Sequence, residues 1–267
     1  FELSLAHYFS WCKDKPTRCT WADGNDPATA FAQLRAAVET APIPSATADR
    51  PLGPGEFTTG VGTPLYGTEN AWSVLSDALL AAVQGDGSGL VKLTDFYLNR
   101  NDDGSYPNEQ EAYDAVMCTD RTTPSVADVR AQAPAFAAAA PNCGVSGLAE
   151  WLVCSDWASH GKDLPAPVGQ GAGPILVVGS TNDPATPYAW AEALAHELAS
   201  GVLLTRHGEG HTAYQMGDAC IDSAIESYLI APSTQTASCP GAAPAQTAVS
   251  GALPRVAPGP RTAWRLR

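Results

Sequence analysis

Apolar residues recur at helical spacing through the first part of the chain. In AWSVLSDALLAAV (residues 71–83), Trp72, Leu75, Leu79 and Val83 fall three or four positions apart. That spacing gathers them on one stripe of a helix. LSLAHYFSWC and PATAFAQLRAAV predict two earlier helices, with Cys12 and Cys19 flanking the short polar loop between them. LVKLTDFYL, EQEAYDAVMC and SVADVRAQAPAF predict three more. The last opens on Ser125 with Asp128 three residues on, the spacing of a reciprocal cap in which each side chain reaches the other's backbone amide. Residues 42–62, rich in proline and glycine, read as a connector. No period-two alternation and no internal repeat interrupts this pattern, so residues 1–168 are expected to be mainly helical.

The texture changes at Gly169. GQGAGPILVVGS holds a continuous apolar run over residues 175–178 bounded by glycines, which suits a strand buried on both faces of a parallel sheet. NDPATP is a turn, and AWAEALAHELASG a helix with Gly201 as its C-cap. GVLLTRHG is a second buried strand, and CIDSAIESYLI a helix with Ile221, Ile225, Tyr228 and Leu229 on one stripe. Strand, helix, strand, helix with long connections predicts an α/β segment over residues 169–239. Beyond it, residues 240–267 are Ala/Pro-rich and expected to be a disordered tail.

In α/β sheets the chemistry gathers at the carboxyl ends of the strands. One predicted strand end delivers Asp183; the other delivers His207, Glu209 and His211. An aspartate before proline is an ordinary turn residue, and a loop histidine often only bonds backbone. Placed at the ends of consecutive strands, however, Asp183 and His211 can meet, and a carboxylate on one ring nitrogen orients an imidazole to act as a base. His207 is the rival and sits nearer the strand end, but GHTA is better suited to hold a histidine on a flexible loop, which favours His211. His7, His160 and His196 have no acid or strand-end context in the sequence.

The net charge of −13 disfavours nucleic acid and anionic membrane as partners, and the body is more acidic still, because Arg255, Arg261, Arg265 and Arg267 all lie in a tail without acids. No run of about 18 apolar residues exists to span a membrane. The opening FELSLAHYFSWC lacks the zones of a signal peptide, so the chain is expected to be a processed piece or a fragment. Seven cysteines without a CxxC pair argue against zinc and thioredoxin-like sites and for disulfides in an exported protein. Cys12–Cys19 would close a local loop, and Cys220–Cys239 would pin the last helix to its tail. NRNDDGSYPNEQ only brushes a calcium loop, since Gln110 stands where the bidentate glutamate belongs. No metal or cofactor is expected.

PILVVGSTNDPATPYAWAEALA followed by GVLLTRHGEGHTAY resembles the C-terminal part of secreted bacterial tripeptidyl aminopeptidase-like serine hydrolases. The resemblance implies the α/β-hydrolase fold, with Asp183 as the acid and His211 as the base of a Ser-Asp-His triad. AYDAVMCTD and a later CSDW resemble the family's helical cap, which implies a Cys118–Cys154 bond; Cys143 is a rival partner for either. It also implies a GxSxG nucleophile elbow. No serine here has glycine on both sides at that spacing, Ser146 and Ser88 included. The expectation is therefore an incomplete α/β-hydrolase. It comprises a cap and the last strands of the sheet, inactive alone and in need of the missing N-terminal half that carries the serine. Its substrate would be a peptide with a free amino terminus, which cap acids such as Glu109, Glu111 and Asp120 could hold. A non-catalytic remnant or binding module with relic triad residues is the alternative.

Overall fold

The computed structural model describes residues 1–159, 161, 165–232 and 237–239; the tail expected to be disordered and His160 lie outside them. Five helices enclose the main core: α1 (Glu2–Asp14), α2 (Pro27–Thr40), α3 (Pro54–Leu65), α4 (Glu69–Val83) and α5 (Ser88–Tyr97). Their apolar stripes converge on Tyr8, Trp21, Phe57, Leu75, Leu79 and Leu90, all at most 2% exposed. Trp72 belongs to the same core. Helix α2 starts where Asp26 accepts the Thr29 amide and Pro27 fills the first helical position, where its missing N–H costs nothing.

Two expectations need correction here. The supposed connector over residues 42–62 contains most of α3. Pro54 sits in that helix's first turn, where proline is preorganised. Gly60 is not a breaker but a contact point: a Cβ there would lie 2.4 Å from the Leu90 carbonyl oxygen, so α3 and α5 approach backbone to backbone. The predicted stripes also run one residue too far, because Val83 and Leu229 are 50% and 70% exposed near the ends of their helices.

Three further helices follow: α6 (Glu109–Thr119), α7 (Val126–Ala139) and α8 (Gly144–Ala149), then a tight 3₁₀ turn over Glu150–Cys154. Ser125 and Asp128 form the reciprocal cap on α7. Cys118 is the one fully buried side chain of α6, and it is bonded to Cys154. With so little apolar burial, that helix depends on its disulfide. Replacing both cysteines with serine should cost about 4 kcal/mol, the loop-closure entropy released to the unfolded chain, for a span of 36 residues. Denaturant unfolding measures it. A loss below about 1 kcal/mol would mean that packing alone holds α6.

The rest is a small parallel sheet in the order β1 (Ile175–Asn182), β2 (Gly201–Glu209), β3 (Ala237–Cys239), with α9 (Tyr188–Glu197) and α10 (Ala219–Ile230) as its crossovers. The α/β character expected of this segment is present. Leu204, Ala213, Ile221 and Cys239 form its core, and the Cys220–Cys239 bond ties α10 to β3. Gly201 is not the C-cap of α9. That helix ends at Leu198 in extended conformation, and Gly201 opens β2. A Cβ at Gly201 would lie 2.1 Å from the Ala195 carbonyl oxygen, so the glycine serves close strand-to-helix approach instead.

The β1–β2 register matters most for the site. Ile175 pairs with Gly201 and the match holds as far as Ser180 with Arg206, but Asn182 then faces Glu209. One extra residue on β2 forms a bulge, which bends the strand end and re-aims its side chains.

Candidate active site

Asp183 follows directly on β1, and its side chain is 3% exposed. Its Oδ1 accepts the amides of Ala185 at 2.9 Å and Thr186 at 2.8 Å, and its Oδ2 accepts the Thr212 amide at 3.1 Å. His211 Nδ1 lies 3.0 Å from both carboxylate oxygens. Burial opposes ionisation of this carboxyl. The Thr186 amide, the His211 ring and the Thr212 and Ala185 amides outweigh it and hold the pKa below the usual aspartate value. A dedicated anion is thus aimed at Nδ1, which fixes the tautomer and leaves Nε2 as the nitrogen able to exchange a proton.

The histidine is held as firmly as its acid. Its backbone amide donates to the Tyr66 carbonyl at 2.8 Å, and the Tyr66 ring meets the imidazole edge-on at 5.4 Å. Gly210 makes the turn at φ +99°, a conformation that favours glycine, with the Tyr66 and Gly67 carbonyl oxygens 3.2 Å from where a Cβ would stand. The imidazole remains 32% exposed while the Asp183 side chain is sealed at 3%.

A second histidine–carboxylate pair lies behind the first. The bulge turns Glu209 inward, where its Oε1 accepts from Asn182 Nδ2 and lies against His7 Nδ1, each at 2.7 Å. His7 therefore has an acid partner, contrary to expectation, supplied by a residue 202 positions away. Arg206 Nη1 donates to the Glu209 carbonyl at 2.8 Å, and Ser180 Oγ donates to the Thr212 carbonyl at 2.7 Å. Both ends of the His211 loop are thereby braced to helix α1 and strand β1. His7→Ala strips a partner from a partly buried carboxylate and should cost about 1–3 kcal/mol of stability, read by denaturant unfolding. A cost near zero would show the pair to be incidental.

The other candidates fall elsewhere. His207 lies inside β2, ahead of the strand end, and His196 is exposed in the last turn of α9. Ser146 Oγ donates to the Cys143 carbonyl, and Ser88 Oγ to Asp86. In the calcium-like turn, Asp103 accepts from the Ser105 amide and hydroxyl, and Asn99 donates to Glu109. Among the described residues, Asp218, Cys220 and Cys239 have potential metal-ligating atoms close together, but the two sulfurs are bonded to each other. Glu109 lines a cleft of about 540 Å³ with Tyr97, Tyr113, Asp114, Glu150 and Trp151. Glu111 and Asp120 are exposed. Burial first, and the nearby Asp114 charge second, raise the Glu150 pKa. Tyr66 was missed by sequence reasoning, and Glu209, though placed at the second strand end, was given no role.

A small parallel sheet with helices on its crossovers, preceded by a helical region, is consistent with part of an α/β-hydrolase. Residues 140–239 match the family model described as TAP-like protein, and this region belongs to the TAP-like α/β-hydrolases. The chain is 36% identical over 198 residues to Carboxylesterase B of Mycobacterium tuberculosis, covering 70% of this chain and 37% of that protein. It is 34% identical over 197 residues to Serine protease Hip1 of the same organism, covering 72% and 38%. A Tripeptidyl aminopeptidase of Streptomyces coelicolor is 27% identical over 232 residues, covering 80% and 41%. The chain thus spans well under half the length of these relatives.

Proposed function

We propose that this chain supplies the acid and base of a serine hydrolase, with Asp183 orienting His211, and that the nucleophilic serine stands in a segment not contained in these 267 residues. The observation that carries this reading is the Asp183 carboxylate, anchored by three backbone amides and bonded to Nδ1 of an accessible imidazole. His211 Nε2 takes the proton from the serine hydroxyl as it attacks a carbonyl carbon, then delivers it to the departing amine or alcohol. Helices α6–α8 serve as a cap. The acidic, aromatic cleft that holds Glu109, Asp114 and Glu150 suits the free amino terminus of a peptide. The three disulfides fit an exported protein in an oxidising compartment. No described helix is long and apolar enough to cross a membrane.

The test joins this chain in frame behind a segment that carries a GxSxG serine and assays amino-terminal peptide amides and short esters. The joined protein should turn over one of these classes, and the 267-residue chain alone should turn over neither. Turnover by the chain alone would overturn the assignment of an external nucleophile.

A further inference from the structure

A second cavity, of about 330 Å³, opens beside the catalytic pair between α3 and α8. Tyr66 and Ala185 stand on its wall, the first packed edge-on against the His211 ring and the second bonded through its amide to Asp183. Its deep wall is apolar: Leu5, Phe31, Phe57 and Val61 are each at most 5% exposed. Glu150 lines it, as it does the first cleft, but several of the other polar lining residues are already engaged. Thr58 and Thr63 donate back to carbonyls of their own helix, those of Pro54 and Thr59. Arg35 donates to the Pro141 carbonyl and to Asn142, and Asn142 donates to Glu2. The free Cys143 thiol on the same wall is held protonated, its pKa pushed up to about 12 chiefly by burial.

A cavity of this size, walled largely by apolar and aromatic groups, recognises a ligand chiefly by burying hydrocarbon. We infer that it is a specificity pocket for a bulky apolar side chain, aromatic or branched aliphatic, placed next to the bond that His211 helps to cleave. The inference rests on the proposed reading of Asp183 and His211 for its role in catalysis, but its ligand chemistry rests on the cavity alone. Substrates with glycine or an acidic side chain at that position leave the pocket unfilled or set a carboxylate against Glu150.

Two glycines make the pocket testable without disturbing the core. A Cβ on Gly147 of α8 meets nothing within 4 Å, and one on Gly62 of α3 comes no closer than 3.8 Å to the Phe1 ring. Gly147→Leu and Gly62→Leu therefore fill the cavity from opposite walls, and each replaces a helical glycine by a better helix former. The probes are N-acetyl-phenylalanine methylamide and N-acetyl-glycine methylamide, titrated into the full chain and followed by its amide NMR signals. The phenylalanine probe should bind at least about tenfold more tightly, as burial of its ring requires, shift the signals of Val61 and Tyr66, and slow alkylation of Cys143. Both leucine variants should abolish that preference while melting no lower than the parent. Equal affinity of the two probes, or a preference that survives both variants, overturns the inference. Asp183→Asn should retain the preference. A chain that binds selectively yet gives no hydrolysis when joined to a serine segment would therefore refute the catalytic reading and leave the pocket standing.

Discussion

In the enzyme completed by a nucleophilic serine, His211→Ala should lower kcat by about 10⁶-fold and change KM little. A serine hydroxyl is a poor nucleophile at neutral pH unless a base removes its proton as it attacks. Among the described residues, the other histidine–carboxylate pair at the strand ends, His7 with Glu209, is more buried, its imidazole 10% exposed. The Asp183 carboxylate is already saturated by three amides and the imidazole Nδ1, so it cannot stand in as the base. His207 sits within β2, inside the bulge between Arg206 and Glu209, rather than on the loop beyond the strand end. Because nucleophile and base act as one unit, removing the imidazole should cost about as much as removing the serine, and the double replacement should add little. Steady-state kinetics on an activated ester read the effect. A fall of less than tenfold would transfer the role of base to another residue.

Asp183→Asn should lower kcat by about 10⁴-fold, a smaller loss because the base survives but its tautomer and orientation do not. Here the effect extends to the fold. The carboxylate accepts from three backbone amides, those of Ala185, Thr186 and Thr212, and charge-assisted bonds of this kind contribute about 1.5–3 kcal/mol each at most. The pH dependence has a definite sign. The Asp183 pKa is depressed in the folded protein, because the Thr186 amide, the His211 ring and the other two amides together overcome the opposing effect of burial. Its contribution to stability is therefore complete above the ordinary aspartate value and is lost as the pH falls through the lower folded-state value. The melting temperatures of the parent and of Asp183→Asn should differ at neutral pH and converge in acid. A gap that stays constant down to strongly acidic pH would show that the native carboxyl is not held as an anion by these partners.

Much of this site was legible in the chain because its signals are local. Asp183 and His211 each follow a short apolar run at the end of a strand, and two consecutive strand ends bring such residues to one edge of a sheet whatever the details of packing. The helices with apolar positions three and four apart were equally legible, since that spacing is itself the geometry of a buried face. Helix α3 was not, because Gly60 and Pro64 carry the local signature of a loop while their actual environment is a tight approach to α5 and a buried helical turn. The pairing of His7 with Glu209 was invisible for a similar reason: its two members lie at opposite ends of the chain and meet only across the seam between helix and sheet.

What the amino-acid sequence determined by itself was the class of segment, the parallel sheet order of strand and helix, the placement of Asp183 and His211 at its strand ends, and the absence of a GxSxG serine. Periodicity, glycine and proline placement and residue chemistry act over a few neighbouring positions, so these could be read without coordinates. The tertiary structure alone decided the one-residue bulge of β2 between Arg206 and Glu209, the seat of His211 under Tyr66, the bracing of its loop by Glu209 and His7, and the largely apolar cavity that opens beside it. Each arises from groups far apart in the chain, and their contact free energies exist only once the helices and the sheet have closed on one another.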